Sequence, residues 1–397
     1  MSTMIRADKS VIGNWWRSVD RWTLGAIFVL ILCGITLVSA ASPPVAERLG
    51  LSPFYFVIRH IAFLIPTIII MLATSLLDSK ALWRAASLVL VTSMALIVVS
   101  ILFGMEIKGA TRWVHMFGFS LQPSEFAKPA FAITSAWLIA RHQYQENFPG
   151  HQLATGLFGL VLLLLLLQPD FGMSFVLASI WGVQIFLSGL PMLWVILLGC
   201  LGVAGVIGAY MFFPHVASRI DRFLDPASGD NYQIKKSLES FSNGGLLGTG
   251  PAHGQVKMTL PDAHADFIFS VAGEEFGLIA TLLLVGVFAF IIIRSFMRIR
   301  KSEDLFTVLA VGGILMQFGL QSFIHMGSSL QLLPAKGMTL PFISYGGSSL
   351  MALGFGIGAL LSLTRKRLQT SAPTSGSIWK GWSPRGRATL ENGGMHE

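Results

Sequence analysis

The chain alternates between long apolar stretches and short polar segments, and this pattern predicts ten membrane-spanning helices. A helix needs about 20 predominantly apolar residues to cross the hydrocarbon core of a bilayer. The stretches that approach this length are 22–41, 54–76, 82–103, 124–140, 153–168, 171–188, 191–213, 266–293, 305–327 and 341–363. The connections at 169–170 and 188–190 leave room only for tight hairpins between neighbouring helices. The sequence therefore predicts an all-α polytopic membrane protein with about ten transmembrane helices.

The predicted helices divide the chain into three regions. Residues 1–21 are predicted to form a cytoplasmic N-terminal segment, and residues 22–365 a ten-helix transmembrane domain. This domain carries one large loop, 214–265, between its seventh and eighth helices. Residues 366–397 are rich in Ser, Gly, Pro and charge, which is typical of a disordered tail, here a cytoplasmic one.

The distribution of Lys and Arg predicts how the helices are oriented. Basic residues cluster before the first span, after the eighth and after the tenth: Arg6, Lys9, Arg17 and Arg21; Arg294, Arg298, Arg300 and Lys301; and Arg365, Lys366 and Arg367. An even number of spans places all three clusters on one side, which the positive-inside rule assigns to the cytoplasm. Both termini are therefore predicted to be cytoplasmic, and the loops 104–123 and 214–265 to face outward.

The composition excludes several other classes of protein. Hydrophobic residues make up 53% of the chain and charged residues 12%, about half the charged share of a soluble domain. The net charge of +8 does not indicate a nucleic-acid partner, because the basic residues lie in short segments between apolar runs. Cys33 and Cys200, the two cysteines of the sequence, each lie within an apolar run, so neither a disulfide framework nor a zinc site is expected.

An ionisable pair begins the fourth predicted helix. Pro123 suits a first helical position, and Glu125 and Lys128 follow on one helix face because they are three residues apart. The pair is interpreted either as an ion pair that docks one helix against another or as the polar wall of a substrate cavity. Ionisable groups at membrane depth favour the functional interpretation.

Three further polar positions lie at the ends of predicted helices. Asp170, in the hairpin "QPDFG", has the ordinary interpretation of an aspartate that caps a turn. Arg219 lies in the large loop and is interpreted either as a diphosphate contact or as an ordinary surface arginine. Lys336 lies just outside the membrane, where an anionic lipid headgroup would meet it. The glycines of "GGLLGTG" (244–250) do not have the spacing of a nucleotide-binding loop, and no strand precedes them.

The stretch "LPDAHADFIFSVAGEEFG" (260–277) concentrates ionisable residues at the start of the eighth predicted helix. It contains Asp262, His264, Asp266, Glu274 and Glu275. Glu274 and Glu275 lie about two turns into the helix, so at least one is expected to face the bundle interior. The spacing of these side chains matches no structural zinc pattern, and no metal site is predicted.

Six motifs, in this order, resemble the SEDS family of polytopic membrane proteins, which includes FtsW, RodA and SpoVE. They are "RWVHMFGFSLQPSEFAK", "QPDFG", "RFLDP…YQIKKSL", "GGLLGTG", "LPDAHADFIFSVAGEEFG" and "LPFISYGGSS", and the resemblance spans about residues 20–365. The form "PAKGMTLPFISYGGSS" is more similar to the division branch of the family, FtsW, than to the elongation branch, RodA. The chain departs from the family pattern at Ala265, Pro129 and His325, where Thr, an apolar residue and Asn are usual.

The resemblance implies an activity and a set of partners. Family members are peptidoglycan glycosyltransferases, which polymerise lipid II by inverting β-1,4 bond formation at the outer face of the bacterial cytoplasmic (inner) membrane. They work with a class B penicillin-binding transpeptidase, and the division branch implies an FtsI-like one, other divisome proteins and a location at the septum. No cofactor is expected to be bound tightly, and Mg²⁺ is expected only together with the substrate diphosphate.

The resemblance also assigns residue roles. Asp266 matches the essential aspartate of the family and is the expected general base. The residues expected to contact substrate are Arg112, Trp113, Glu125, Lys128, Asp170, Arg219 and Lys336. Three other functions remain as alternatives: a lipid II flippase, an elongation polymerase of the RodA type, and a scaffold whose polar residues only pack helices. Ionisable residues near one face favour chemistry there over transport through the membrane.

Overall fold

A computed structural model describes residues 11–104, 111–116, 119–145, 147–189, 192–212, 217, 221, 232–334 and 337–365. Arg219, Lys336 and the predicted tail 366–397 lie outside this part of the chain. The described residues all belong to one compact unit, Met1–Lys366.

Within these residues the structure is almost entirely helical. Twelve α-helices follow one another: α1 (Val11–Ser18), α2 (Arg21–Arg48), α3 (Tyr55–Leu76), α4 (Ser79–Phe103), α5 (Pro123–Tyr144), α6 (Gly150–Leu167), α7 (Phe171–Leu187), α8 (Met192–Phe212), α9 (Tyr232–Gly244), α10 (Ile268–Ile299), α11 (Leu305–Ser329) and α12 (Gly347–Leu363). A short 3₁₀ helix covers Val256–Met258. Two three-residue strands, β1 (Val114–Met116) and β2 (Phe119–Leu121), pair antiparallel between α4 and α5, in a segment predicted only as a loop.

Ten of these helices, α2 to α8 and α10 to α12, coincide with the ten predicted spans. Among the described residues, six are long and apolar enough to cross a membrane by length and composition: α2, α3, α4, α6, α10 and α11. Two shorter apolar helices, α7 and α12, accompany them. The prediction of a polytopic helical membrane protein is confirmed.

Two predicted boundaries differ from the structure. Helix α2 continues past residue 41 through Pro43 and Pro44 to Arg48, whose Nε donates to the Pro44 carbonyl. Helix α12 begins at Gly347 rather than at Pro341, because Phe342 has a φ of 62°, which is incompatible with a right-handed helix. The segment before α12 is instead a turn in which the Leu340 amide donates to Ser344 Oγ.

Helix α10 is interrupted at Gly277. This residue has φ 76° and ψ −177°, so the regular hydrogen-bond ladder is broken there. The loop that follows α9 replaces the missing partners: the amides of Leu278 and Ile279 donate to the carbonyls of Gly245 and Leu246, at 2.9 and 3.2 Å. A Cβ at residue 277 would collide with the backbone of this loop, so glycine is required for close approach as well as for its φ.

An ion cluster joins three helices at the end of the bundle where α2 begins. Asp20, which is 1% exposed, caps α2 by accepting from the Trp22 amide. Arg294 of α10 donates to both carboxylate oxygens of Asp20, at 2.7 and 2.8 Å, and Arg298 approaches at 3.0 Å. Arg298 also donates to the Thr364 carbonyl at the end of α12. The starts and ends of these helices are therefore fixed together at one level.

Candidate active site

Asp266 lies at the opposite end of α10 from this cluster, in the turn that precedes the helix. Its amide donates to the Asp262 carbonyl at 3.0 Å, and its side chain is half-buried. The carboxylate faces Gly337, where a Cβ would lie 3.3 Å from Oδ2. Because residue 337 is a glycine, its backbone can lie this close to the carboxylate without a side chain between them.

The segment 337–340 that faces Asp266 is fixed by polar side chains of α11 and by its own turn. His325 Nδ1 contacts the Met338 carbonyl at 2.6 Å, and as a carbonyl only accepts, the imidazole donates. Gln321 Nε2 donates to the Thr339 carbonyl and hydroxyl, at 3.1 and 3.2 Å. These bonds hold the backbone that borders Asp266, so two buried side chains of α11 position the candidate base.

An aromatic group supports the turn that carries Asp266. His264 is 6% exposed and packs between Phe56 and Tyr345, with ring centroids 4.0 and 5.3 Å away. Burial lowers the pKa of His264 to about 4, against the opposing attraction of Asp262. The ring is therefore neutral at pH 7. The carbonyls of His264 and Ala265 accept from the Tyr345 amide and Ser344 Oγ, which joins this turn to the segment before α12.

Glu125 and Lys128 form a buried ion pair near the start of α5. Their charged atoms are 2.9 Å apart, and the residues are 3% and 0% exposed. Lys128 Nζ also donates to Gln321 Oε1 at 3.3 Å and contacts Met173 Sδ at 3.1 Å. The ammonium group is thus connected through Gln321 to the segment that faces Asp266.

Asp170 caps α7 and pairs with Arg112. The Asp170 carboxylate accepts from the Met173 amide at 3.3 Å and lies 3.6 Å from Arg112 Nε. Burial raises the pKa of Asp170, and the Arg112 guanidinium opposes this shift without overcoming it. Arg112 also donates to the Pro169 carbonyl at 2.6 Å, so it holds the hairpin between α6 and α7.

The structure thus brings part of the predicted site together. Lys128 and Glu125 both act electrostatically on Asp170, so the two buried pairs are neighbours. Trp113 is half-buried next to Arg112, directly before β1. The described contacts connect the Glu125–Lys128 pair with the Asp266 turn through Gln321 and the 337–340 segment. Arg219 and Lys336, outside the described residues, stay predictions.

Sequence reasoning missed several residues of this site. Gln321 and His325 are polar positions inside an apolar helix, and their regular spacing of four residues was the signal that both face one side. Arg48 was missed because it follows the apolar run of α2; it donates to the Leu260 carbonyl at 2.8 Å and acts electrostatically on His264. It places a cation near the turn that carries Asp266.

Glu274 and Glu275 are both buried, but they bind the large loop rather than the bundle interior. Glu274 accepts from Asn243 Nδ2 and from three consecutive amides, those of residues 255, 256 and 257, at 2.7–3.0 Å. Glu275 forms an ion pair with Lys257. Among the described residues, no group of three His, Cys, Asp or Glu side chains is placed to hold a metal ion.

Comparison with known proteins places the chain in a family. The sequence profile described as "Cell cycle protein", FtsW/RodA/SpoVE, matches residues 21–369. The chain belongs to the FtsW/RodA/SpoVE family. It is 40% identical over 363 residues to the probable peptidoglycan glycosyltransferase FtsW of Caulobacter vibrioides, covering 91% of this chain and 93% of that protein. It is 34% identical to the protein of the same name from Saccharophagus degradans, covering 85% and 90%.

Two solved structures share the fold. A chain from a peptidoglycan synthase complex, solved to explain how polymerisation and crosslinking are coordinated, matches with a TM-score of 0.74 and 26% identity, covering 89% of this chain and 100% of that one. The rod shape determining protein RodA of Thermus thermophilus matches with a TM-score of 0.64 at 23% identity, covering 88% and 97%. The resemblance expected from the motifs is confirmed, and the chain is a multi-pass inner-membrane protein.

Proposed function

We propose that this protein is a peptidoglycan glycosyltransferase that polymerises lipid II, the undecaprenyl-diphosphate-linked disaccharide-peptide, into glycan strands. The names of its relatives support this activity. The observation that carries the proposal is the position of Asp266, a half-buried carboxylate in the turn before α10 that lies against Gly337.

The chemistry requires one base and a stabilised leaving group. Chain growth joins an α-linked sugar diphosphate to a sugar 4-hydroxyl and gives a β-1,4 bond, and a single displacement accounts for this inversion. Asp266 removes the proton from the attacking hydroxyl, as one of the two carboxylates does in an inverting glycosidase. The leaving diphosphate needs neutralisation by cations rather than a proton.

The candidates for this neutralisation differ in accessibility. Lys336 and Arg219 are predicted contacts, and Arg48 is an exposed described cation near the Asp266 turn. Lys128 is fully buried, so a diphosphate reaches it only if the side chains around it move. Arg112 is 28% exposed at its side chain, so its guanidinium is partly accessible. Trp113, Glu125 and Asp170 line the same region.

Any metal is proposed to arrive with the substrate. Mg²⁺ typically binds substrate phosphates with one or two protein carboxylates. Asp266 is the carboxylate that the proposal places at the reacting hydroxyl. A Mg²⁺ ion is therefore expected to be a companion of the diphosphate, and chelation by EDTA before the addition of lipid II tests this requirement.

The cellular assignments are likewise proposals. The division-type sequence around residues 334–349 supports septal synthesis, with an FtsI-like class B penicillin-binding transpeptidase and other divisome proteins as partners.

The orientation in the membrane is also proposed. Arg294 and Arg298 lie at the Arg-rich end of the bundle, which supports a cytoplasmic location for both termini and an external location for Asp266. In a background without Cys33 and Cys200, an impermeant thiol reagent is expected to label Ser242→Cys but not Ser302→Cys in intact spheroplasts; the reverse pattern contradicts the orientation.

The deciding experiment compares two isosteric substitutions four residues apart. Purified protein, with and without its transpeptidase partner, is incubated with labelled lipid II, and glycan polymer is measured. Asp266→Asn is expected to lose about 10²–10⁴-fold in rate because the base is removed. Asp262→Asn is the matched control and is expected to keep most of the activity, since asparagine tolerates the φ of 50° at this position. Equal rates for wild type and Asp266→Asn contradict the assignment.

The same reagents separate the alternative functions. A flippase moves labelled lipid II across proteoliposome membranes without forming polymer, and a scaffold does neither. An elongation polymerase of the RodA type forms polymer but pairs with the elongation transpeptidase instead of the FtsI-like one. Co-purification of the full-length chain with each transpeptidase therefore tests the division assignment.

A further inference from the structure

Two leucines at the tip of the 244–250 loop are largely exposed. Leu246 is 65% exposed and Leu247 is 79% exposed. The neighbouring face of α10 is equally apolar and open: Leu278, Ile279, Leu282 and Leu283 are 47%, 51%, 59% and 68% exposed. Since α10 is apolar and long enough to span the membrane, this face is where lipid contacts the helix. The loop leucines continue the same surface.

Hydrogen bonds fix the loop at the level of this lipid-facing surface. The break at Gly277 leaves carbonyls and amides of α10 without helical partners, and the loop pairs with them. The Leu278 and Ile279 amides donate to Gly245 and Leu246, while the amides of Thr249 and Gly250 donate to the Glu274 and Glu275 carbonyls at 2.9 and 3.1 Å. Irregular backbone is stable at membrane depth only when its polar groups are paired within the protein, and this pairing meets that condition.

The length of α10 gives the depth. Arg294, bound to Asp20, marks the opposite membrane boundary. Between residues 279 and 294 the helix rises about 22 Å, at 1.5 Å per residue, whereas the hydrocarbon core is about 30 Å thick. Residue 279 and the loop bonded to it therefore lie several ångströms inside the core. Tilting α10 shortens the projected distance and places the loop deeper.

We propose that the loop 244–250 dips into the bilayer and that Leu246 and Leu247 contact lipid acyl chains in the leaflet at the Asp266 end. The loop then anchors the polar segment above it, because Glu274 and Glu275 next to the break hold residues 255–257. This segment leads directly into the turn that carries Asp266. The membrane surface thereby sets the height of the proposed site, and this holds whether or not the chain polymerises lipid II.

Spin-label accessibility in nanodiscs of a phosphatidylethanolamine and phosphatidylglycerol mixture tests the proposal. Single cysteines replace Leu247, Ile279 and Glu239 of the full-length chain in a background with Cys33→Ser and Cys200→Ser. Ile279→Cys is the reference for the lipid-facing helix. Glu239→Cys is the aqueous control in the same loop region, because Glu239 is exposed and paired with Lys236. Collision with oxygen reports lipid, and collision with a water-soluble nickel chelate reports water.

The label at residue 247 is expected to favour oxygen over the nickel chelate by at least the ratio found at residue 279, and the label at residue 239 to show the reverse. A ratio at residue 247 equal to that at residue 239 would place the loop in water and overturn the proposal. Low collision with both reagents at residue 247, with normal oxygen access at residue 279, would show that a second copy of the chain covers the leucines, and would also overturn it.

Discussion

Gly337 lies directly against the Asp266 carboxylate, and its backbone is in the left-handed region. The φ of Gly337 is 60°, and a Cβ on this residue would lie 3.3 Å from Asp266 Oδ2. Met338 and Thr339, the next two residues, are bound to α11 through His325 and Gln321. These hydrogen bonds to α11 therefore hold the segment in its position against the carboxylate.

Gly337→Ala is expected to reduce polymerisation about 10-fold, because a Cβ shifts the carboxylate by a few tenths of an ångström and small misplacements of catalytic groups are costly. Gly50→Ala is the matched control: its φ is 68°, but its Cβ would meet nothing within 4 Å. Both variants are expected to lose about 1–2 kcal/mol of stability, because alanine is strained in the left-handed conformation. If Gly337→Ala and Gly50→Ala are equally active at matched expression, the contact between Gly337 and Asp266 does not affect catalysis.

The Glu125–Lys128 pair is tested by a double-mutant cycle. Lys128→Met leaves a buried carboxylate without its cation and is expected to cost about 3–5 kcal/mol of stability. Adding Glu125→Gln removes the charge and is expected to restore the melting temperature but not polymerisation, if Lys128 serves the diphosphate. Thermal unfolding and the lipid II assay are measured on all four proteins. Full activity of the double variant would show that the ion pair only docks α5 against its neighbours and does not serve the substrate.

The Asp20 cluster gives an acid-dependent contribution to stability. Burial raises the pKa of Asp20, but hydrogen bonds from Arg294 and Thr23 and the nearby Arg298 outweigh this effect and leave the pKa below 3.8. A depressed carboxyl pKa contributes stability above the unfolded pKa, and this is lost as pH falls through the folded pKa. Asp20→Asn is expected to lower the melting temperature at neutral pH by several degrees. The difference in melting temperature between wild type and Asp20→Asn is expected to shrink only below about pH 4. A difference that stays constant as the pH falls would show that the Asp20 carboxylate does not contribute this stability.

His264 gives a pH dependence in a different window. Burial lowers its pKa from 6.5 to about 4, so the neutral ring contributes stability that is full above the unfolded pKa and declines as pH falls toward 4. Replacement by an aromatic residue without a titrating group, His264→Phe, keeps the packing on Phe56 and Tyr345. Between pH 7 and 4 the wild type is expected to lose up to about 3 kcal/mol more stability than the variant. If the stabilities of wild type and His264→Phe change equally between pH 7 and 4, His264 is not buried in solution.

Much of the candidate site was predictable, but its connections were not. Asp266 was recognisable because its motif resembles that of the family, and the Glu125–Lys128 pair because ionisable residues are rare at the start of an apolar helix. Gln321 and His325 were missed since polar side chains inside a helix have several ordinary packing roles. Their partners, Thr339 and Met338, follow a turn, and nothing in the local pattern indicates which carbonyls they reach.

The sequence by itself determined the ten spans, because the thickness of the hydrocarbon core fixes the length of each apolar run. Within the core the backbone N–H and C=O groups must be hydrogen-bonded inside the segment, which a helix achieves. Only the tertiary structure decided where those helices break and what meets at the breaks. Gly277 could have been an ordinary helical glycine; it is a break because the 244–250 loop offers carbonyls and amides at that level. Likewise, Gly337 meets Asp266 through contacts between segments some 70 residues apart, and such contacts depend on how the helices pack.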